Sequence, residues 1–253
     1  MIRTLLIWGL LAGLCGGLLA TGFSELAGEP AVNQAIAFES SSAAAAGEPH
    51  EHAIVSRGVQ RSVGLLAAAI VFGLSMGGLF ALAFAFAYGR VGRASPARTA
   101  LWLAAGAFVV VYLVPFLKYP ANPPSIGDPD TIGKRTELYF AMIVCSLLAA
   151  VAALRVRAWL AERRDPTTAT VVAGLSYLAV VVAAGLILPG IHEVPNGFPA
   201  TTLWRFREAS IGMQAVLWAT IGVVFSVAAQ RVMVGAPARR RAAATGLVAS
   251  PGD

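Results

Sequence analysis

Six stretches of this chain contain no charged residue and no histidine, and each is about as long as a membrane-spanning helix. They cover Thr4–Ser24, Ser62–Gly89, Thr99–Leu117, Leu138–Leu154, Thr167–Ile191 and Ala209–Gln230. An α-helix needs about 20 residues to cross a bilayer core. Charged residues make up 13 % of the chain, against about 25 % in soluble proteins. The sequence therefore predicts an all-α, polytopic membrane helix bundle in residues 1–235, followed by a disordered cytoplasmic tail over 236–253.

The charges between these stretches predict how the chain is oriented. Counted from the N-terminus, alternate flanks hold 12 of the 19 Lys and Arg residues but only 3 of the 13 acids. The other flanks hold the remaining 7 basic residues and 10 acids. Because basic connections stay in the cytoplasm, both termini are predicted inside the cell. The first stretch is longer than the apolar region of a signal peptide, and no cleavage site of the A-x-A type follows it, so we expect it to remain as a span.

Small residues recur every fourth position in the first two spans. They are Gly9, Gly13 and Gly17 in the first, and Ala69, Gly73, Gly77, Ala81 and Ala85 in the second. In lipid, helices associate by close backbone packing, and such stripes permit it. We expect the two stripes to face each other. Prolines are expected to end the third span at Pro115 and the fifth at Pro189-Gly190.

The long first outer connection carries candidate metal ligands. The Ser/Ala-rich tract from Ser40 to Gly47 has the composition of a flexible linker. Beyond it stand four residues that alternate imidazole and carboxylate: Glu48, His50, Glu51 and His52. Such groups can bind a divalent transition metal such as Co²⁺, Ni²⁺ or Zn²⁺. Two histidines do not complete a site, and a solvated acidic loop tip is the other interpretation.

The other two outer connections add one further candidate pair. His192 and Glu193 follow the fifth span and could join the first-loop histidines. The aromatic and arginine residues at 204–208 suit a membrane interface. In the remaining connection, prolines impose an extended path, and Asp130 or Thr131 can cap the fourth span.

Other classes of function find no support in the residues. The glycines and lysine of the second outer connection have the wrong spacing for a phosphate-binding loop, and no strand precedes them. No pairing of nucleophile and base is visible, so we do not expect an enzyme. The basic excess is explained by membrane topology, and no nucleic-acid-binding motif accompanies it. We expect no permanently bound cofactor.

The layout resembles that of a known family. The shared features include a glycine-rich first span, a His/Glu-bearing outer loop and a Gly/Ala-rich second helix. Others are a third span ending in prolines, the turn Leu188-Pro189-Gly190-Ile191-His192 and the start of the last helix from Trp204 to Trp218. They resemble the CbtA family, described as predicted cobalt transporter subunits. The loop from Lys118 to Thr136 is similar to that of actinobacterial members.

The resemblance implies a role and a partner. It implies cobalt import for cobalamin synthesis across a bacterial plasma membrane, together with CbtB, a small single-span subunit with a histidine-bearing tail. His50 and His52 match the family's histidine-bearing loop, and His192 matches its proline-histidine turn. The chain departs from its relatives in having only two histidines in that loop.

We therefore expect the membrane subunit of a cobalt uptake system, in which Co²⁺ is the substrate and is captured at the outer His/Glu loops. Capture by neutral imidazole should weaken below about pH 6. The alternative is a non-transporting scaffold for a partner subunit, since small-residue seams serve that role equally well.

Overall fold

All regular secondary structure in the described part of the chain is helical. The computed structural model describes residues 1–46, 63–124 and 126–235. Seven helices lie in these ranges: α1 Ile2–Ala27, α2 Glu29–Ala46, α3 Leu65–Ala87, α4 Pro96–Lys118, α5 Ile132–Ala161, α6 Pro166–Ile187 and α7 Ala200–Gln230. Among the described residues, six of these helices, all except α2, are long and apolar enough to cross a membrane. The predicted six-span, all-α fold is thus confirmed, while the orientation of the termini stays a prediction.

The chain divides into two compact units. Among the described residues, the first unit comprises 1–21, 63–106 and 216–235, and the second comprises 22–46, 107–124 and 126–215. The predicted tail 236–253 and the segment with Glu48, His50, Glu51 and His52 lie outside the described residues.

In the first unit, the glycine stripe of α1 packs directly on the backbone of α3. A methyl group added at Gly9 would lie 2.5 Å from the Gly77 carbonyl oxygen. One added at Gly17 would lie 2.5 Å from the Ala69 carbonyl oxygen. A methyl group added at Gly13 would lie closer still to the carbonyl oxygen of Gly73. The two stripes therefore face each other, as predicted, and only hydrogen fits between these backbones.

An adjacent face of α1, at Gly16, and the aromatic face of α3 both pack on α7 within the same unit. A methyl group at Gly16 would lie 3.1 Å from the Leu217 carbonyl oxygen. The ring centroids of Phe80 and Phe84 lie 5.2 and 5.0 Å from that of Phe225, with the rings edge to face. Edge-to-face pairs of buried rings add to the dispersion energy of the contact. Three spans thus form one well-packed core.

In the second unit, α5 and α6 pack along their lengths, and the C-terminal part of α4 joins them. Met142 and Ala149 of α5 form a buried cluster with Val181 of α6. The Ser146 and Tyr177 hydroxyls, from the two helices, lie 2.8 Å apart and hydrogen-bond. A polar side chain in a span is expected to find a partner on a neighbouring helix, and this pair does so.

The prediction of a flexible linker from Ser40 to Gly47 was wrong for residues 40–46, which belong to α2. Ser40 and Ser42 donate hydrogen bonds of 2.9 Å to the carbonyl oxygens of Ile36 and Phe38 in the preceding turn. Alanine, which fills positions 43–46, has the highest helix propensity of any residue. The tract thus has the composition of a linker but the local energetics of a helix.

The prediction that the third span ends at Pro115 was also wrong, because α4 continues to Lys118. A proline inside a helix lacks an N–H donor and clashes with the carbonyl four residues earlier. Here a π-helical segment, Phe108–Leu113, precedes the proline, and the Val114 N–H bonds to the Val109 carbonyl oxygen. The wider π-turn shifts the hydrogen-bond register just before Pro115, so the chain stays helical. The fifth span does end before its proline, at Ile187.

Substitution at Gly77 should separate the first two spans. In Gly77→Ala, the new methyl group would collide with the α1 backbone at Gly9 and Gly13. Overpacking of this kind typically costs about 1–3 kcal/mol. Unfolding in mixed micelles with increasing SDS should therefore reveal a lower free energy of unfolding. Gly174→Ala is the matched control, because no atom lies within 4 Å of the added methyl group in α6. Equal stability of the two variants would show that the seam is not tightly packed.

Asp165 should stabilise the start of α6 in a pH-dependent way. Its carboxylate accepts a 2.8 Å hydrogen bond from the Thr168 backbone N–H, and this bond holds the pKa of Asp165 below its usual value. A depressed folded-state pKa gives stability above the unfolded pKa that is lost as the pH falls through the folded pKa. Asp165→Ala should therefore have a lower melting temperature than wild type at pH 7. Asp165→Asn, which keeps an acceptor oxygen, should lose less.

The difference between Asp165→Ala and wild type should shrink when melting is repeated below the normal titration range of an aspartate. A difference that stays constant with pH would rule out the carboxylate hydrogen bond as its cause.

Candidate functional site

A partly buried ion pair joins the start of α5 to the connection between α6 and α7. Glu193 Oε2 lies 2.9 Å from Arg135 Nη1, and the side chains are 8 % and 32 % exposed, respectively. The other carboxylate oxygen of Glu193, Oε1, contacts the Thr131 hydroxyl. Two elements far apart in sequence are thereby linked through one carboxylate. Such a charge-assisted contact is stronger than a neutral hydrogen bond.

Gly127 makes room for this ion pair. Its backbone has a φ of +133°, which L side chains rarely adopt. A methyl group there would lie 2.8 Å from Arg135 Nη1 and 3.0 Å from Glu193 Oε2. Glycine is therefore required at this position both by its backbone conformation and by the space available.

Thr131 occupies the N-cap position of α5, as predicted, but its side chain does not cap the helix. Its hydroxyl instead lies 2.8 Å from the Asp128 carbonyl oxygen and contacts Glu193. An N-cap side chain normally accepts a hydrogen bond from a free N–H group of the first helical turn. The Thr131 side chain instead helps to position the Glu193 carboxylate.

Arg207, in the second turn of α7, holds the proline-rich connection between α4 and α5. Its Nε donates to the Ala121 carbonyl oxygen at 3.2 Å, and its Nη2 donates to Asn122 Oδ1 at 3.1 Å. Both acceptors are neutral. The guanidinium is thus fixed in place while its positive charge is not neutralised by these contacts.

Tyr119 closes the other end of the same connection. Its hydroxyl donates a 2.8 Å hydrogen bond to the Pro189 carbonyl oxygen. Burial raises the pKa of Tyr119 above its usual value, so the hydroxyl remains a protonated donor at neutral pH. The connection after α4 is therefore attached to the connection after α6 and to the start of α7.

Between these elements lies an open cleft of about 740 Å³, contained within the second unit. Its lining includes Tyr119, Asn122, Arg135, Tyr139, His192 and Arg207. Polar and apolar side chains share the walls, as in many ligand sites. The cleft is the place in the described chain where most of these polar groups converge.

His192 lies at this cleft, and its side chain is exposed. The imidazole folds back over the preceding turn, since a methyl group at Gly190 would lie 3.1 Å from His192 Nε2. A neutral imidazole nitrogen is a good ligand for divalent transition metals. The ring is therefore both accessible and chemically suited to coordinate a metal ion in the cleft.

The predicted ligands divide into two sets. The structure brings His192 and Glu193 to the cleft, and Glu193 is engaged there with Arg135. Glu48, His50, Glu51 and His52 lie outside the described residues. Within the described ranges, no group of three His, Cys, Asp or Glu residues is placed to hold a metal ion. Metal capture by the six predicted residues stays a prediction.

The sequence did not single out Arg135, Arg207, Asn122 or Tyr119, which the structure places around the same cleft. A signal for one of them was present. Arg207 stands seven residues after the start of a membrane helix, where an arginine needs a partner or an aqueous surface. Its two acceptors are 86 and 85 residues away in sequence, so the sequence could not identify them.

Comparison with known proteins decides the family. A family model described as "Probable cobalt transporter subunit (CbtA)" matches residues 2–230. The chain belongs to the CbtA family. No curated protein and no solved structure matches it. All described side chains of the cleft fall within the CbtA match. Membership supports a multi-pass membrane protein that is a transporter subunit.

The Glu193 carboxylate should contribute to the stability of this CbtA member. Glu193→Gln keeps the shape of the side chain but leaves Arg135 without its counter-charge. Loss of one partner of a partly buried ion pair is expected to cost about 1–3 kcal/mol. The control is Glu162→Gln, which removes an exposed ion pair with an N–O distance of 3.7 Å and should cost under about 1 kcal/mol.

SDS-induced unfolding monitored by tryptophan fluorescence measures both variants on one scale. If Glu162→Gln lowers the free energy of unfolding as much as Glu193→Gln does, the ion pair at the cleft contributes no more stability than an exposed one.

Proposed function

We propose that this chain is the membrane subunit of an uptake system for cobalt, or for a divalent transition metal of similar chemistry, and that the outer His/Glu loops capture the metal. Membership of the CbtA family over residues 2–230 is the observation that carries this proposal. The six long apolar helices support a membrane location for the subunit. In this proposal the loops face the outside, and the chain works with a CbtB-like single-span partner.

His192 is the proposed ligand that the structure describes best. Its imidazole is exposed at the cleft, and Glu193 beside it is fixed by Arg135. A dication bound at His192 would need further ligands, since divalent transition metals take four or more. Glu48, His50, Glu51 and His52 are the proposed additional ligands. Glu193 would join them only after exchanging its contact with Arg135 for the metal.

The uptake test uses cells lacking this protein, complemented with wild type or variants, and follows radioactive cobalt accumulation in chelated medium. Wild type should restore accumulation. His192→Ala and the double variant His50→Ala/His52→Ala should reduce it about 10-fold or more, because even outer-shell partners of metal ligands contribute about 10- to 100-fold. Asn196→Ala is the control, as Asn196 is an exposed residue of the same connection. Immunoblots confirm equal amounts of each protein.

Two results would contradict different parts of the proposal. Equal accumulation in deleted and wild-type cells would refute a role in cobalt uptake. Full activity of both histidine variants would leave the uptake role intact but exclude capture at these loops.

A scaffold without transport activity is the competing function, and the tight seam between α1 and α3 favours a structural role for those spans. Purified protein in liposomes separates the two functions. Cobalt flux that requires this chain, with or without its partner, supports a transport subunit. If the partner alone transports cobalt, and this chain only raises the amount of folded partner, the result supports a scaffold.

A further inference from the structure

The described walls of the cleft carry more positive than negative charge. Arg135 and Arg207 both line it, whereas Glu193 is the acid among its described lining residues. Glu193 is already paired with Arg135. The charge left over belongs to Arg207. This balance is unexpected for a cavity that would accept a bare dication, since like charges repel.

Two hydrogen bonds hold the guanidinium of Arg207 in a fixed orientation, and its third nitrogen, Nη1, is not used by them. Nε and Nη2 donate to the neutral oxygens of Ala121 and Asn122. No described carboxylate lies within ion-pair distance of Arg207, and in the described part of the chain Nη1 has no hydrogen-bond partner. The side chain is partly buried rather than fully solvated. A fixed cation with unused N–H donors, facing a cleft, is a site for an oxyanion.

Arg207 and the proposed metal ligand His192 have complementary chemistry. Arg207 offers N–H donors to a carboxylate, and His192 offers an imidazole to a transition metal. A small ligand that contains both a carboxylate and a bound metal would use both groups at once. Such a ligand would also bring most of the coordination sphere that the described residues do not provide.

We infer that the cleft recognises its metal as a complex with a small carboxylate ligand rather than as a bare ion. A carboxylate of the complex hydrogen-bonds to Arg207, and His192 takes a coordination position on the metal. The net negative charge of such a complex offsets the positive charge of the cleft. This inference rests on the proposed function and specifies the substrate class of the same site.

The binding test uses purified protein in maltoside micelles, which contain no phosphate groups. The probes are Co²⁺ alone, citrate alone and the Co²⁺–citrate complex, each titrated by calorimetry. The complex should bind more tightly than Co²⁺ alone or citrate alone. In Arg207→Gln, affinity for the complex should fall about 10- to 100-fold, as expected for loss of a charged hydrogen bond. Binding of Co²⁺ alone should not weaken and should become tighter, because the variant removes the positive charge that repels the bare ion.

Arg205→Gln is the matched control, because it removes the same charge from an exposed position on the same helix. It should bind the complex like wild type. Arg207 also holds the proline-rich connection, so its loss could disturb the fold. The melting temperature of each variant detects such damage, and Arg207→Lys serves as a conservative variant. Arg207→Lys keeps the charge and should recover part of the affinity, but it lacks the planar fork that binds carboxylate.

Three results would overturn the inference. In the first, Co²⁺ alone binds as tightly as the complex and Arg207→Gln matches wild type; the proposed uptake function would then survive with a bare ion as substrate. In the second, citrate without metal binds as tightly as the complex, so the cleft binds carboxylates and ignores the metal. In the third, Arg207→Gln loses co-purified anionic lipid while complex binding is unchanged, which assigns Arg207 to a lipid phosphate.

Discussion

The absence of water in a bilayer core requires every backbone N–H and C=O group there to find a partner within the protein. In the described part of this chain that requirement is met by helices, and irregular backbone is confined to the connections between them. Two of these connections, which follow α4 and α6, form the cleft. The Tyr119 hydroxyl joins these two connections by its hydrogen bond to Pro189, and Arg135 at the start of α5 pairs with Glu193 of the second one. A site with convergent polar groups is thus built where the helical constraint ends.

The number and approximate positions of the spans could be predicted because charge is excluded from a lipid-facing helix over about 20 residues. Their ends could not, because a helix continues past the apolar window as long as its polar groups find partners. α5 begins at Ile132 and extends to Ala161, well beyond the predicted 138–154. Pro115 failed as a stop signal for a related reason: the π-helical turn before it changes which carbonyl each N–H reaches. Neither effect is visible in residue type alone.

The site was predictable only where residue chemistry is distinctive. Imidazole and carboxylate pointed to His192 and Glu193, and both line the cleft. What the sequence could not supply was the partner of each group. Glu193 lies opposite an arginine 58 positions earlier in the chain, and the glycine that makes room for the pair, Gly127, is further away still. Contacts across such separations follow from tertiary packing, which no local pattern encodes.

Glu193 and His192 differ in how readily each could leave its present contacts to bind a metal. A carboxylate that is 8 % exposed and paired with an arginine is costly to withdraw from its partner, since a buried charge without compensation is destabilising. An exposed imidazole has no such cost. A bare dication at His192 would share the cleft with the guanidinium of Arg207, which no described carboxylate pairs with, and like charges repel. In the proposal that the metal arrives as a complex, Arg207 disfavours a bare dication near His192, and the negative charge of the metal's own ligands removes that repulsion.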